Sequence, residues 1–320
     1  MRELIDAVFA RALANAHLDT AADAVAVPLP LHQEVVVTTD SFTVQPIEFP
    51  GGNIGSLAVH GIVNDLAVCG ARPLYLTLSV ILEEGLEIAL LRRVIGALAH
   101  AARASGVAVV AGDTKVVERG DCDGMYLAMT GIGARPRGTA LGLERIRAGD
   151  RVLVSGTVGE HGAAVMLARH EFGLHGRLAS DAASVLPHAQ ALMAEPGLRF
   201  MRDPTRGGLA TVAHEIARGT GLSVHLSEDR IPVGDAVQSV CELLGFDPLY
   251  LACEGRLVAV VARESAEAAL GRLHRLAPQA QLIGHIGAIG DGPGGVVLET
   301  ALGGRRMLDE LDDDPLPRIC

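Results

Sequence analysis

Alternating strand-like and helix-like segments predict an α/β protein with mixed sheets, and three observations support that fold class. Apolar residues fill 49% of the 320 positions, enough for a sizeable core. Aromatics reach only 3% and Trp is absent, so that core is built from Ala, Val, Leu and Ile. Short apolar runs alternate with longer runs of helical spacing through the first half, which is how a sheet with covering helices reads.

The opening residues, Met1-Arg2-Glu3-Leu4-Ile5-Asp6, start an amphipathic helix and lack the features of a signal peptide. Residues 35–39 (VVVTT) read as a strand. Residues 55–69 carry Leu57, Ile62, Val63 and Leu66 at helical spacing. A strand at 74–82 precedes a long helix at 87–104 with Ile88, Leu91, Val94, Ile95 and Leu98 on one face. Strands at 107–111 and 125–133 complete this half. The turn-rich passage 135–150 suggests a boundary, giving a first domain over 1–150 and a second over 151–311. The second opens with a strand at 151–155. Helices follow at 160–171, 181–194, 207–218, 234–244 and 264–275, with strands at 222–226, 257–261, 281–289 and 295–299. Residues 173–180 and 196–206 read as loops. The tail, 312–320, has three acids and two prolines, which predicts an extended, flexible segment.

A net charge of −11 argues against a nucleic-acid partner. No apolar run reaches the roughly 20 residues of a membrane span. The five cysteines, Cys69, Cys122, Cys241, Cys253 and Cys320, include no CxxC pair, which fits free thiols in a reducing cytoplasm.

Common nucleotide signatures are absent. There is no GxxxxGK[ST], and the single GxGxxG at 290–295 lies between two strand-like segments, where it reads as a hairpin turn. His170, Glu171 and His175 lack the spacing for one-face zinc ligation and read as surface or loop residues. Four aspartates are more informative. Asp40, Asp65, Asp113 and Asp203 fall at or near the ends of predicted elements, and Lys115 lies two residues beyond Asp113. Taken singly, each reads as a turn former or helix cap. Taken together, they also suit magnesium bound to a nucleotide, because Mg²⁺ takes a few carboxylates when phosphate supplies the other ligands. Pro50-Gly51-Gly52-Asn53-Ile54-Gly55 and Arg206-Gly207-Gly208 each precede a helix, either as anion-facing backbone or as ordinary helix starts. Cys320, at the tip of the tail, is either a tethered carrier of a chemical group or a chance terminal residue.

The segments TTDSF (38–42), FPGGNIG (49–55), VNDLAVCGARPLYL (63–76), ILEEG (81–85), GDTKVVERG (112–120), RDPTRGGLA (202–210), CEGRL (253–257) and PRIC (317–320) resemble the HypE family of hydrogenase maturation proteins. That family lies within the aminoimidazole ribonucleotide synthetase-like ATP-binding superfamily. The match spans nearly the whole chain, and related families share the aspartates but lack the cysteine tail. The resemblance implies a two-domain fold of that superfamily, a homodimer built through the N-terminal sheets, and the cofactors ATP and Mg²⁺.

It also implies a reaction. A partner carbamoyltransferase loads the terminal cysteine. ATP then drives dehydration of the S-carbamoyl group to a thiocyanate, and the cyanide passes to an iron-carrying maturation scaffold during [NiFe]-hydrogenase assembly. Carried onto this chain, Cys320 is the covalent carrier, Lys115 offsets phosphate or oxyanion charge, and Glu254 is the base. Asp40, Asn64, Asp65, Gly112, Asp113, Thr114, Asp203, Thr205 and Arg206 bind the nucleotide. Asp40, Asp65, Asp113 and Asp203 hold the metal. The chain's own carboxylate disfavours the Cys320 thiolate, and Arg318 partly opposes that.

Three departures stand out. Family members carry a Gly-rich loop ahead of the first helix, and here Met1 falls inside that helix, so the loop is expected to be missing. Asn53 stands where Asp is common, and Cys253 stands where Asn is frequent, putting a second thiol near the site. Two other function classes remain open. One is another superfamily enzyme: a small-molecule kinase, which would not need Cys320, or a selenophosphate synthetase, which would carry a reactive Cys near the N-terminus. The other is a non-catalytic nucleotide-binding scaffold.

Overall fold

The computed structural model describes residues 2–20, 22, 24–169, 178–288, 295–311, 316 and 318–320. A helical segment opens the chain: α1 (Arg2–Leu4), a π-helical stretch (Ile5–Ala10) and α2 (Arg11–Leu13). Then follow β1 (Gln33–Phe42), a small hairpin of β2 (Glu48–Phe49) and β3 (Gly52–Asn53), α3 (Ile54–Val68), β4 (Arg72–Glu83), α4 (Ile88–Ala104), β5 (Ala108–Val117) and β6 (Met125–Pro136). The long strands form a four-stranded sheet ordered β1-β6-β4-β5. Its β4–β5 pair is parallel, joined through α4, and the other pairs are antiparallel.

The second half comprises β7 (Arg151–Val154), α5 (Glu160–Ala168), α6 (Leu186–Met193), β8 (Leu198–Arg202), α7 (Gly208–Thr220), β9 (Val224–Ser227), α8 (Asp235–Leu244), β10 (Val258–Val261), α9 (Ala266–His274), β11 (Gln281–Ile286), β12 (Val296–Glu299) and β13 (Arg305–Met307). These strands make a seven-stranded sheet ordered β13-β12-β9-β11-β7-β10-β8, parallel only at β12–β9.

Helix α3 is apolar on nearly every side, and twelve of its residues are buried. It lies on the four-stranded sheet where β6 carries Gly131. A Cβ there would sit 2.3 Å from Ile62 Cγ2, so a glycine lets the helix approach. One apolar cluster joins Ile54, Leu57 and Ile62 of α3 to Ala163–Met166 of α5, to Val237 and Cys241 of α8, and to Leu316, Ile319 and Cys320. Ala67 and Val68, at the other end of α3, pack with Leu153, Ala259 and Val261 of the seven-stranded sheet. Among the described residues no helix is long and apolar enough to cross a membrane.

Several expectations are corrected. The strand read at 107–111 runs on to Val117, so Asp113 lies within β5 rather than after it. The helix read over 181–194 begins only at Leu186, with Pro187 in its first turn. The stretch before it is non-helical because Ser180, Asp181, Ala183 and Val185 hydrogen-bond to distant parts of the chain. Residues 198–202, read as loop, form β8, an edge strand whose polar flanks hide its pattern. The short strand β13 carried no readable signal. Among the described residues, strands β11 and β12 both pair with β9 and not with each other. Residues 290–294, like His170, Glu171 and His175, lie outside the described residues.

Gly131→Ala is expected to lower stability by about 1–3 kcal/mol through overpacking, read as a reduced midpoint in chemical denaturation. Removing the clashing methyl with Ile62→Ala should recover part of that loss, so the cost of the double variant falls short of additivity.

Candidate active site

The four-stranded sheet separates the residues singled out in the sequence. Asp40 pairs with Met129, which pairs with Leu78, which pairs with Gly112, so these four share the face covered by α3. Asp113 pairs with Ser79 and Lys115 with Ile81, one step along, and project from the opposite face. Lys115 Nζ lies 3.6 Å from Asp113 Oδ2, and both side chains are largely exposed. Gly112, Asp113 and Thr114 border a separate, mostly apolar cleft under the N-terminal helical segment, with Phe9, Leu13 and Leu78. Within one chain, Asp113 and Lys115 therefore do not join the other carboxylates.

Those others do assemble. Asp40, Asp65, Asp203, Thr205, Arg206, Glu254 and Cys320 line one cavity of about 90 Å³, floored by Phe42 and Gly61. Asp40 Oδ1 accepts the Ser41 N–H at 2.7 Å, and Asp65 Oδ2 accepts the Thr38 hydroxyl at 2.7 Å. Burial pushes Asp65 above the usual carboxylate range, and the neighbouring Asp40 adds to this. Asp203 is pushed up to about 7, first by burial and then by Asp65. Glu254 is driven well above the ordinary range by burial and by Asp203, Asp181, Asp40 and Asp65. Its Oε1 has no hydrogen-bond partner among the described residues.

The Glu254 backbone is pinned from both sides. Its N–H donates to Asp181 Oδ1 at 3.1 Å, and its carbonyl accepts from Asn64 Nδ2 at 3.1 Å. Asn64 also donates to the Ala183 carbonyl and accepts the Val185 N–H. Its amide is thus a buried clamp between α3 and two loops, not a group facing the cavity.

Cys320 is docked rather than solvent-borne. The Thr43 N–H donates to its carbonyl and the Gln45 N–H to that of Arg318, both at 3.2 Å, so the last residues pair antiparallel with the chain just after β1. The tip of the tail is thus extended and docked in this state, while residues 312–315 and 317 lie outside the described residues. Burial of Leu316 and Ile319 in the shared core drives the docking. Arg206 Nη2 donates to Cys320 Sγ at 3.5 Å. Arg318, expected to favour the thiolate, instead turns away to pair with Asp123. Burial and Glu254 push the thiol up to about 12 against the opposing pull of Arg206, so it rests protonated.

Two other expectations change. Cys253 points into the second half's core, where its sulfur accepts the Gly159 N–H at 3.1 Å, so it adds no thiol to the cavity. Asn53 caps α3: its Oδ1 accepts from Gly55 and Ser56, and the Asn53 N–H donates to Ser56 Oγ. The Ile54 N–H goes to the Ile47 carbonyl, so the N–H groups of residues 53–56 are used within the helix start. Sequence reasoning missed His161, Arg169 and Asp123, which hold the tail. None carries a local signal, because each acts across more than a hundred residues.

Among the described residues no group of three or more His, Cys, Asp or Glu is arranged to hold a metal ion by itself. The cavity nonetheless fits a hard cation that phosphate helps to ligate. Asp40, Asp65 and Asp203 crowd negative charge that Arg202 and Arg206 only partly offset, and Asp203 is raised by burial and then by Asp65.

Two α/β halves sharing a core around an acidic cavity define the class of AIR synthase related proteins. The family model for their N-terminal domain matches residues 21–134, and that for their C-terminal domain matches 147–294. Carbamoyl dehydratase HypE of Azotobacter vinelandii is 45% identical over 323 residues, covering 100% of this chain and 94% of its own length. A crystal structure of hydrogenase maturation protein HypE in complex with ATP superposes with a TM-score of 0.94 at 44% identity, covering 100% of this chain and 96% of that one. A crystal structure of a HypE–HypF complex gives 0.83 at 40% identity, over 96% and 99%. The chain belongs to the HypE family of AIR synthase related proteins.

The pH dependence of stability follows from Asp203. Its folded value of about 7 lies above the ordinary aspartate value, so between those two the folded chain binds more protons than the unfolded one. Stability contributed by this group is therefore present at acid pH and lost as pH rises toward 7. Asp203→Asn is expected to flatten that dependence and to stabilise the protein by about 1–4 kcal/mol above pH 7, measured by urea denaturation across pH.

Proposed function

We propose that this chain is a carbamoyl dehydratase of hydrogenase maturation. It uses ATP to convert an S-carbamoyl group on Cys320 to a thiocyanate, the source of a cyanide ligand for a [NiFe] centre. The observation that carries this reading is the place of Cys320 Sγ. It lies 3.5 Å from Arg206 in a cavity walled by Asp40, Asp65, Asp203 and Glu254. A kinase of this fold has no use for a docked terminal thiol.

The chemistry needs a leaving group better than hydroxide. Transfer of the ATP γ-phosphoryl group to the carbamoyl oxygen makes one, and loss of phosphate and the amide protons then gives R–S–C≡N, ADP and phosphate. Thr205 and Arg206, at the start of α7, are placed to hold phosphate, Arg206 by paired charge. Asp40, Asp65 and Asp203 would hold Mg²⁺, whose positive charge offsets that of the phosphates and favours ionised carboxylates around it. Burial and the neighbouring acids raise Glu254 well above the ordinary range, which suits it to accept the amide proton, and cations entering the cavity favour its ionised form. Lys115 and Asp113 stand on the open face of the sheet, where Val35, Val37 and Ile81 are also exposed. A second copy covering this face makes the homodimer and puts the nucleotide, with Gly112, Asp113 and Thr114, near the subunit interface. A carbamoyltransferase partner loads the thiol, as the HypE–HypF complex of a relative supports, and an iron-carrying scaffold receives the cyanide in the cytoplasm.

Intact-mass analysis of the carbamoylated chain, with and without Mg-ATP, tests the reading. Loss of one water from the C-terminal peptide only with ATP is expected, and a Cys320→Ala chain should fold normally and yield no product. An adduct that never loses water would leave a nucleotide-binding scaffold instead. Lys115→Ala and Glu254→Ala are expected to accept the carbamoyl group but to dehydrate it at least about 100-fold more slowly. Wild-type rates in both would remove them from the mechanism.

A further inference from the structure

His161 lies on the first turn of α5 and is fully buried, with burial holding its imidazole down at about 4 and therefore neutral. Both ring nitrogens are engaged. Nδ1 is 2.7 Å from Ser180 Oγ, and Nε2 is 2.8 Å from the carbonyl of Ile319. A carbonyl only accepts, so Nε2 carries the proton and the Ser180 hydroxyl donates to Nδ1. Ser180 Oγ in turn accepts the Ala182 N–H at 3.0 Å, and the Ser180 N–H donates to the Pro50 carbonyl at 2.8 Å. The Phe49 ring stands edge-on to the imidazole at 5.3 Å.

The tail carbonyls alternate in what they meet. Those of Arg318 and Cys320 face Gln45 and Thr43, whereas that of Ile319, between them, faces His161. When the tail leaves to be loaded, the buried Nε2–H loses its acceptor. An unmet buried donor is costly, so the imidazole favours the docked state.

We propose that His161, oriented by Ser180, is the positioning residue that latches the C-terminal strand by its Ile319 carbonyl and so holds Cys320 in the cavity. Its purpose rests on the dehydratase reading, but its test does not.

The full chain is treated with limiting iodoacetamide, and each cysteine peptide is quantified by mass spectrometry. In His161→Phe, Cys320 should label about tenfold faster, the factor that about 1.4 kcal/mol gives. The buried Cys241 and Cys253 should keep their wild-type rates, because they report loosening of the fold rather than release of the tail. His161→Gln, which keeps an N–H donor, should fall between. An unchanged Cys320 rate in His161→Phe overturns the latch. If all three thiols speed up together, Ser180→Ala decides: faster labelling at Cys320 alone supports the latch, and no change overturns it. Dehydration of preloaded Cys320 under single turnover should slow in the same variants. Faster labelling in a chain whose wild type never dehydrates would keep the latch and reject the dehydratase reading.

Discussion

A helix buried on all sides governs this structure. Residues 54–68 tolerate contact with both sheets because nearly every position is apolar, and burial makes the partners of the few polar side chains on α3 matter. Two adjacent positions show what that yields. Asn64 turns its amide toward the second half and fixes both the 183–185 segment and the backbone of Glu254. Asp65, one residue on, is held by Thr38 from the first half and reaches the cavity. Asp65 is thus placed by a rigid helix, and the same helix anchors the segment that carries Glu254.

Charge is deliberately unbalanced at that site. Folding brings several acids together with Arg202 and Arg206, and burial, reinforced by the acids' repulsion, raises both Glu254 and the Cys320 thiol. A protonated, buried thiol is a poor nucleophile. The docked state therefore protects the sulfur from adventitious chemistry, and the same repulsion creates a demand for cations that a metal-bound nucleotide satisfies.

Much of this was legible in the sequence, and the failures have definite causes. The apolar run 55–69 identified α3, and the motifs TTDSF, DPTRGG and CEGRL named the residues that meet in the cavity. GDTKV did not join them, because side-chain parity along a strand becomes meaningful only once its partners are known. Residues 181–185 have helical spacing but use their polar groups on partners far along the chain, which no local pattern records. The tail's composition speaks for disorder. The burial of Leu316 and Ile319 that overrides it depends on a surface assembled from both halves. His161 looked like any histidine on a helix.

The shared core has one more implication. Side chains of α5, α8 and the C-terminal residues pack into the same cluster as α3 and the four-stranded sheet, while the far end of α3 belongs to the core of the other sheet. The four-stranded sheet loses part of its apolar cover when the second half is lost, whereas the seven-stranded sheet keeps a cluster built wholly from residues 146–308. Loss of the second half therefore strips α3 and the C-terminal residues of contacts they share, and damage there is felt at the cavity without touching it.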